Sequence, residues 1–123
     1  MNNILKVYIL IGALVIVVVA VKYIGTHPGK TKIMRLINSS GACDRIKGFM
    51  ALGQLRDTSL YYLFFENMRD RNIAHCLTYL GKSVLWAKIE MLRRITRIEP
   101  ELPYDPMEPD IRILEQYKRI LHK

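Results

Sequence analysis

Cysteine is scarce in this chain: two residues, Cys43 and Cys76, among 123. That excludes a disulfide framework, and also a four-ligand metal cluster without outside help. Five prolines and seven glycines are ordinary counts, so collagen-like and low-complexity readings fall away. Acidic side chains are the minority, 11 Asp and Glu against 19 Lys and Arg, leaving a net charge of +8. Charge of either sign is missing altogether from Val7 to Val21. Beyond residue 25 the remaining 98 residues carry 17 basic and 11 acidic side chains. That is enough for one small domain and too little for two.

The uncharged run is the first positive feature. Ile4 to Ile24 holds 21 residues, and as a helix rising roughly 1.5 Å per residue it spans about 31 Å, the thickness of a hydrocarbon core. Lys6 and Lys22 stand where long amines snorkel to headgroups, and Tyr8 and Tyr23 lie beside them at interfacial depth. A buried Val-rich strand of this length is uncommon. A cleaved leader is the stronger alternative, because Val18-Val19-Ala20 resembles a small-residue cleavage site, but the amino end offers a single Lys. The reading is a retained anchor, with the bilayer contacting residues 4–24.

Basic residues beside the span set an orientation. Lys6 and the terminal amine flank the amino side, whereas Lys22, Lys30, Lys32 and Arg35 follow the carboxyl side. The positive-inside bias then favours an inner, cytoplasmic-type membrane with the amino terminus outside and the domain on the cytoplasmic (or matrix or stromal) side. Unpaired Cys43 and Cys76 would suit a reducing compartment. The same four cations, Lys22, Lys30, Lys32 and Arg35, are candidate contacts for headgroups or an acidic partner.

The division is therefore 1–25 anchor, 26–31 juncture and 32–123 helical domain. The juncture ends in Gly29-Lys30-Thr31, but a phosphate loop needs four residues between its glycines and here there are three. A basic membrane-proximal turn is the simpler reading. Afterwards the apolar spacing is helical throughout. Helices are expected over Lys32–Asn38 with Ile33, Leu36 and Ile37 inward, ended by Gly41 in a left-handed cap, and over 43–55 with Ile46, Phe49, Met50 and Gly53 inward. A third is capped by Asp57 or Thr58 and buries Leu60, Leu63, Phe64 and Met68; a fourth runs from Ile73 to Leu80, closed by Gly81. Ser83 caps a longer helix to Arg97, carrying Leu85, Ile89, Leu92 and Ile95. Pro100, Pro103, Pro106 and Pro109 forbid helix across the next loop, and Asp110 caps a closing helix with Ile113, Leu114, Tyr117, Ile120 and Leu121. The fold class is all-α: one transmembrane helix, then a bundle of about five to six short helices.

Two stretches resemble a known family. Ile46-Lys-Gly-Phe-Met-Ala-Leu-Gly-Gln-Leu-Arg-Asp-Thr-Ser-Leu is similar to the first helix, turn and second-helix start of a HEAT-type repeat. Leu92-Arg-Arg-Ile-Thr-Arg-Ile-Glu-Pro-Glu-Leu-Pro-Tyr-Asp-Pro is similar to the carboxyl-terminal ending of many bacterial HEAT-repeat proteins, with Arg97 in place of the usual Gly. Tyr79-Leu80-Gly81 echoes Ala51-Leu52-Gly53 at a 28-residue offset, short of the roughly 40-residue period of such repeats. The resemblance covers residues 43–123 and implies an α-solenoid in which Gly53 and Gly81 serve close helix approach. Tyr104, held between Pro103 and Pro106, is expected to pack its ring on the preceding helices with its hydroxyl near the surface.

Chemistry finds little to work with. His75 and Cys76 are helix neighbours in this reading and point about 100° apart, so Cys76 is expected to be a small buried hydrophobe. Glu99, Glu101, Asp105, Glu108 and Asp110 cluster in the Pro-rich loop without a calcium-loop pattern. Lys88, Arg93, Arg94 and Arg97 stud one helix, with no aromatic interleaving of the kind nucleic-acid surfaces use. The expectation is no enzyme, no cofactor, no nucleic acid and no small-molecule substrate. Instead a membrane-anchored module binds protein, as an accessory or assembly subunit of a larger membrane complex, with Tyr61, Tyr62, Phe65 and Trp86 as contact anchors. The alternatives are a secreted or periplasmic ligand-binding domain with a cleaved leader, and a scaffold docking on lipid headgroups.

Overall fold

The computed structural model describes residues 2–26 and 29–122, without the side chains of 21–26. His27 and Pro28 of the juncture, and the Lys22 and Tyr23 side chains, lie outside the described residues. Five α-helices follow in chain order: α1 (Asn2–Thr26), α2 (Lys30–Ile37), α3 (Ala42–Leu55), α4 (Val84–Thr96) and α5 (Ile111–Leu121). Two 3-10 segments, Thr58–Phe65 and Leu77–Tyr79, lie between α3 and α4. Among the described residues there is no strand, only one antiparallel bridge between Ile73 and Ser83. The protein is all-helical, with one amino-terminal helix long and apolar enough to cross a membrane. Its apolar window, Asn2–Ala20, is 0% buried, so it contributes nothing to the core.

The core belongs to the other helices. Ile33 and Ile37 of α2 face Ile46, Phe49 and Leu52 of α3, and Leu85, Ile89 and Leu92 of α4 meet Ile113, Leu114 and Tyr117 of α5. Each such side chain is worth roughly 1.5–3 kcal/mol when fully buried. Capping follows the expected signals. Ser83 Oγ accepts from the Trp86 amide at 3.0 Å, and an Asp110 carboxylate oxygen accepts from the Arg112 amide at 2.9 Å. Two glycines let backbones touch. A Cβ on Gly48 would sit 2.8 Å from the Ile37 amide nitrogen, and one on Gly53 would sit 2.9 Å from Met91 Cβ. Gly53 thus marks the α3–α4 crossing. Gly81 serves differently, with φ of +79° in the turn before α4.

The packing has a direction. α2 runs antiparallel to α3, since Ile37 meets Gly48 while Lys30 lies near Asp57. α3 and α4 run parallel: Phe49 is beside Lys88 and Gly53 beside Met91. In α5, Asp110 lies near Arg71 and Tyr117 reaches Ile98. One end of the domain therefore gathers the start of α2 and the close of α3, α4 and α5. This near end adjoins the α1 juncture, and residues 70–83 form the far end.

Three expectations change. The helix expected from Ile73 to Leu80 does not form. Its backbone is diverted, the Ala74 N–H donating to Lys82 O at 2.8 Å and the Ala74 carbonyl accepting from the Gly81 N–H at 3.0 Å. Residues 58–65 coil as 3-10 rather than α-helix, although Asp57 caps them by accepting from the Ser59 amide at 3.0 Å. Gly41 takes no left-handed cap after α2; with φ of −85° it is the extended N-cap of α3.

Candidate functional site

The far end is stapled. Cys43, in the first turn of α3, forms a disulfide with Cys76, with Cα atoms 6.3 Å apart and a sequence separation of 33. Neither cysteine is free. This overturns the expectation of unpaired thiols, and Cys76 is a cross-link rather than a simple buried hydrophobe. Beside it Arg45 clamps the same loop. Its Nε donates to Asp70 at 2.8 Å, and its Nη1 donates to the Ser39 and Ser40 carbonyls at 2.8 Å each.

This well-held loop leaves apolar side chains in water. Leu77 is 94% exposed, and Leu80, Ile73 and Met107 are also exposed. Ile73 and Met107 line an open hollow of about 370 Å³ together with Arg71, Ser83, Asp105 and Glu108. Trp86 stands at this end too, its ring 6.4 Å from Tyr79 with Lys82 Nζ 5.4 Å above it. Of the four aromatic residues singled out in the sequence, only Trp86 lies here. Helical spacing over Ile73–Leu80 would turn Leu77 and Leu80 to one inner face; the observed loop leaves both in water.

Lys88, one of the four basic residues singled out along Lys88–Arg97, is not a surface cation: it is 1% exposed. Its Nζ donates to the Glu66 carbonyl at 2.7 Å and the Asn67 carbonyl at 3.0 Å, and lies 4.9 Å from the Phe49 ring centre. Burial is the main cause lowering its pKa to about 8, with the Asp70 and Glu66 charges opposing. Its position held the signal. Lys88 falls between Leu85, Ile89 and Leu92 on the apolar stripe, where the spacing demands burial whatever the residue type.

The near end holds the remaining aromatic residues. Tyr61, Tyr62 and Phe65 line a groove of about 300 Å³ with Thr58, Leu121 and His122. Tyr62 is 50% exposed, while Tyr61 and Phe65 are partly buried. Lys30, Lys32 and Arg35 are exposed along α2. Arg56 and Arg94 line a second hollow at the close of α3 and α4. Arg56 and Arg97 both end their helices in the left-handed conformation, at φ of 54° and 58°, so Arg97 adopts the geometry that the resemblance assigns to Gly.

Tyr104 packs against the core, but its hydroxyl is buried and finds no partner among the described residues, contrary to the expected surface position. Burial pushes its pKa up, and the Glu90 charge adds to this. An unpaired buried hydroxyl forfeits its hydration without return. Tyr104→Phe should therefore raise stability by about 1 kcal/mol, read as a higher urea midpoint. A clear drop would mean that the hydroxyl is bonded in solution.

No family model, curated protein or solved structure matches this chain.

Proposed function

We propose that this chain is a single-pass membrane protein whose helical domain binds another protein through its far end, outside the cytoplasm. The observation that carries the reading is Leu77, nearly fully exposed on a loop fixed by a disulfide, an ion pair and a β-bridge. Exposed leucines on mobile loops are common; on a rigid loop their exposure has been paid for in order, as contact anchors require. The antiparallel α2–α3 pair with its close glycine contact suits the HEAT-like reading of the same domain. An accessory subunit of a larger membrane assembly fits such a module.

The compartment follows from the Cys43–Cys76 bond. Disulfides persist where conditions are oxidising and are rare in the cytosol. That argues for the amino end of α1 inside and the domain outside, the reverse of the orientation favoured by Lys22, Lys30, Lys32 and Arg35. We give the bond more weight, because positive-inside bias is a statistical tendency, whereas a cytosolic disulfide is chemically disfavoured.

Two measurements test the reading on the full chain in its own membranes. Thiol trapping in intact cells should find both cysteines blocked until reductant is added; free thiols would refute the outward placement. A photocrosslinker at Leu77 should join one discrete protein in fixed ratio, and Leu80→Asp should abolish that product with helicity intact. Equal crosslinking with and without Leu80→Asp would refute binding through the far end.

A further inference from the structure

The near end has a composition different from the far end. Two exposed or half-exposed tyrosines, Tyr61 and Tyr62, rim an open groove there. Around them lie exposed Lys30, Arg56, Arg94 and Arg97, with Lys118 and Arg119 on the last turn of α5. Acids are few. Asp57 is engaged in capping the 3-10 segment, Glu99 faces Arg93 at 3.5 Å, and Glu90 reaches Arg94 at 3.4 Å from within the domain. Cations at helix ends complement the helix dipole, which accounts for one or two of them. It does not account for Lys30, which opens α2 where the dipole is unfavourable to it.

Connectivity says what this end meets. α1 closes at Thr26 and α2 opens at Lys30, four peptide steps apart. Extended chain covers at most about 14 Å over that distance, whatever path it takes. With α1 in a bilayer, Lys30 is held within roughly a headgroup layer of the surface. Tyrosines beside cations are what the membrane interface accepts: the rings take the headgroup boundary and the cations take phosphate.

We propose that the near end of the domain docks on the bilayer that holds α1, through Tyr61 and Tyr62 at headgroup depth and the surrounding cations on anionic phospholipid. The proposal rests on the anchor reading but not on the far-end partner. Docking fixes the domain upright, with Leu77 presented away from the membrane.

The test uses the full chain in vesicles containing brominated lipid, in a Trp86→Phe background. The indole introduced by Tyr62→Trp should be quenched roughly twofold or more in phosphatidylglycerol vesicles. Quenching should weaken in pure phosphatidylcholine, at high salt, and in a Lys30→Glu, Arg56→Glu variant with unchanged helicity. A second reporter, Leu77→Trp, should stay unquenched. The proposal is overturned if Tyr62→Trp escapes quenching while α1 resists carbonate extraction, or if Leu77→Trp is quenched instead. Equal quenching in both lipids would overturn the role of the cations. Shielding of the Tyr62→Trp indole in native membranes, but not in pure lipid, would assign this face to a protein. Extraction of the chain by carbonate would be a distinct failure, that of the anchor itself.

Discussion

Replacing Cys43 and Cys76 together by serine should lower the stability of the domain by roughly 3–4 kcal/mol, the value the chain-entropy relation returns for cross-linked residues 33 apart. Domains of this size have only about 5–15 kcal/mol in total, so the loss is a large share. The melting temperature should fall by about 15–25 °C. The size of the effect follows from what the bond closes. Residues 56–83 contain two 3-10 segments and no α-helix, so little local structure restrains them when the domain unfolds. In the folded state Arg45–Asp70 and the Ile73–Ser83 bridge hold the loop independently, so native geometry should survive the substitution. Reductant added to the unmodified chain should reproduce the shift. A melting curve indifferent to both treatments would show that the cross-link does not restrain the unfolded chain.

The second large effect is a dependence on alkaline pH. Lys88 has a folded pKa of about 8 against 10.5 for a free lysine, because burial disfavours the charged amine. The unfolded chain therefore holds this proton more tightly between those values, and stability rises as pH climbs from about 8 to 10.5. The full gain is about 3 kcal/mol for this one group. Two tyrosines act in the opposite sense. Tyr117, pushed up to about 12 chiefly by burial, and Tyr104, pushed up for the same reason, stay protonated in the fold. In the unfolded chain they ionise near pH 10, so above that value stability drops again. Urea midpoints measured across this range should pass through a maximum near pH 10. Lys88→Met should remove the rise and leave the fall. A midpoint that declines steadily from pH 8 in the unmodified chain would refute the assignment.

Much of this architecture was legible in the residues. The long uncharged run, the Ser83 and Asp110 caps, the proline block and the apolar stripes of α3, α4 and α5 all emerge where spacing and capping put them. These features are local, each settled by side chains within a few turns. Failures came where distant groups decide. Ile73–Leu80 has helical spacing, but Ala74 bonds to Lys82 and Gly81, and Cys76 is drawn to Cys43. Cys43 stands 33 positions from Cys76, outside any local window, and the Ala74–Lys82 bond spans eight residues, longer than a helical turn. With only two cysteines, pairing or freedom was undetermined by count. Lys88 is a different case, since its stripe position signalled burial and its charge obscured it. For the candidate surfaces, Tyr61, Tyr62 and Phe65 were found by type, while Leu77 became visible only once the loop around it was known.

The parallel run of α3 and α4 bears on how the chain is made. Synthesis is vectorial, and Cys76 emerges before any residue of α4. If oxidation occurs then, the end of the crossover is fastened beside the first turn of α3 while α4 is still being delivered. From that point the short tether between Cys76 and Val84 favours an α4 that begins at the far end and grows back alongside α3, with α5 following. The cross-link then acts as a template for order of assembly, favouring the parallel placement over the antiparallel one that the same apolar stripes could otherwise satisfy.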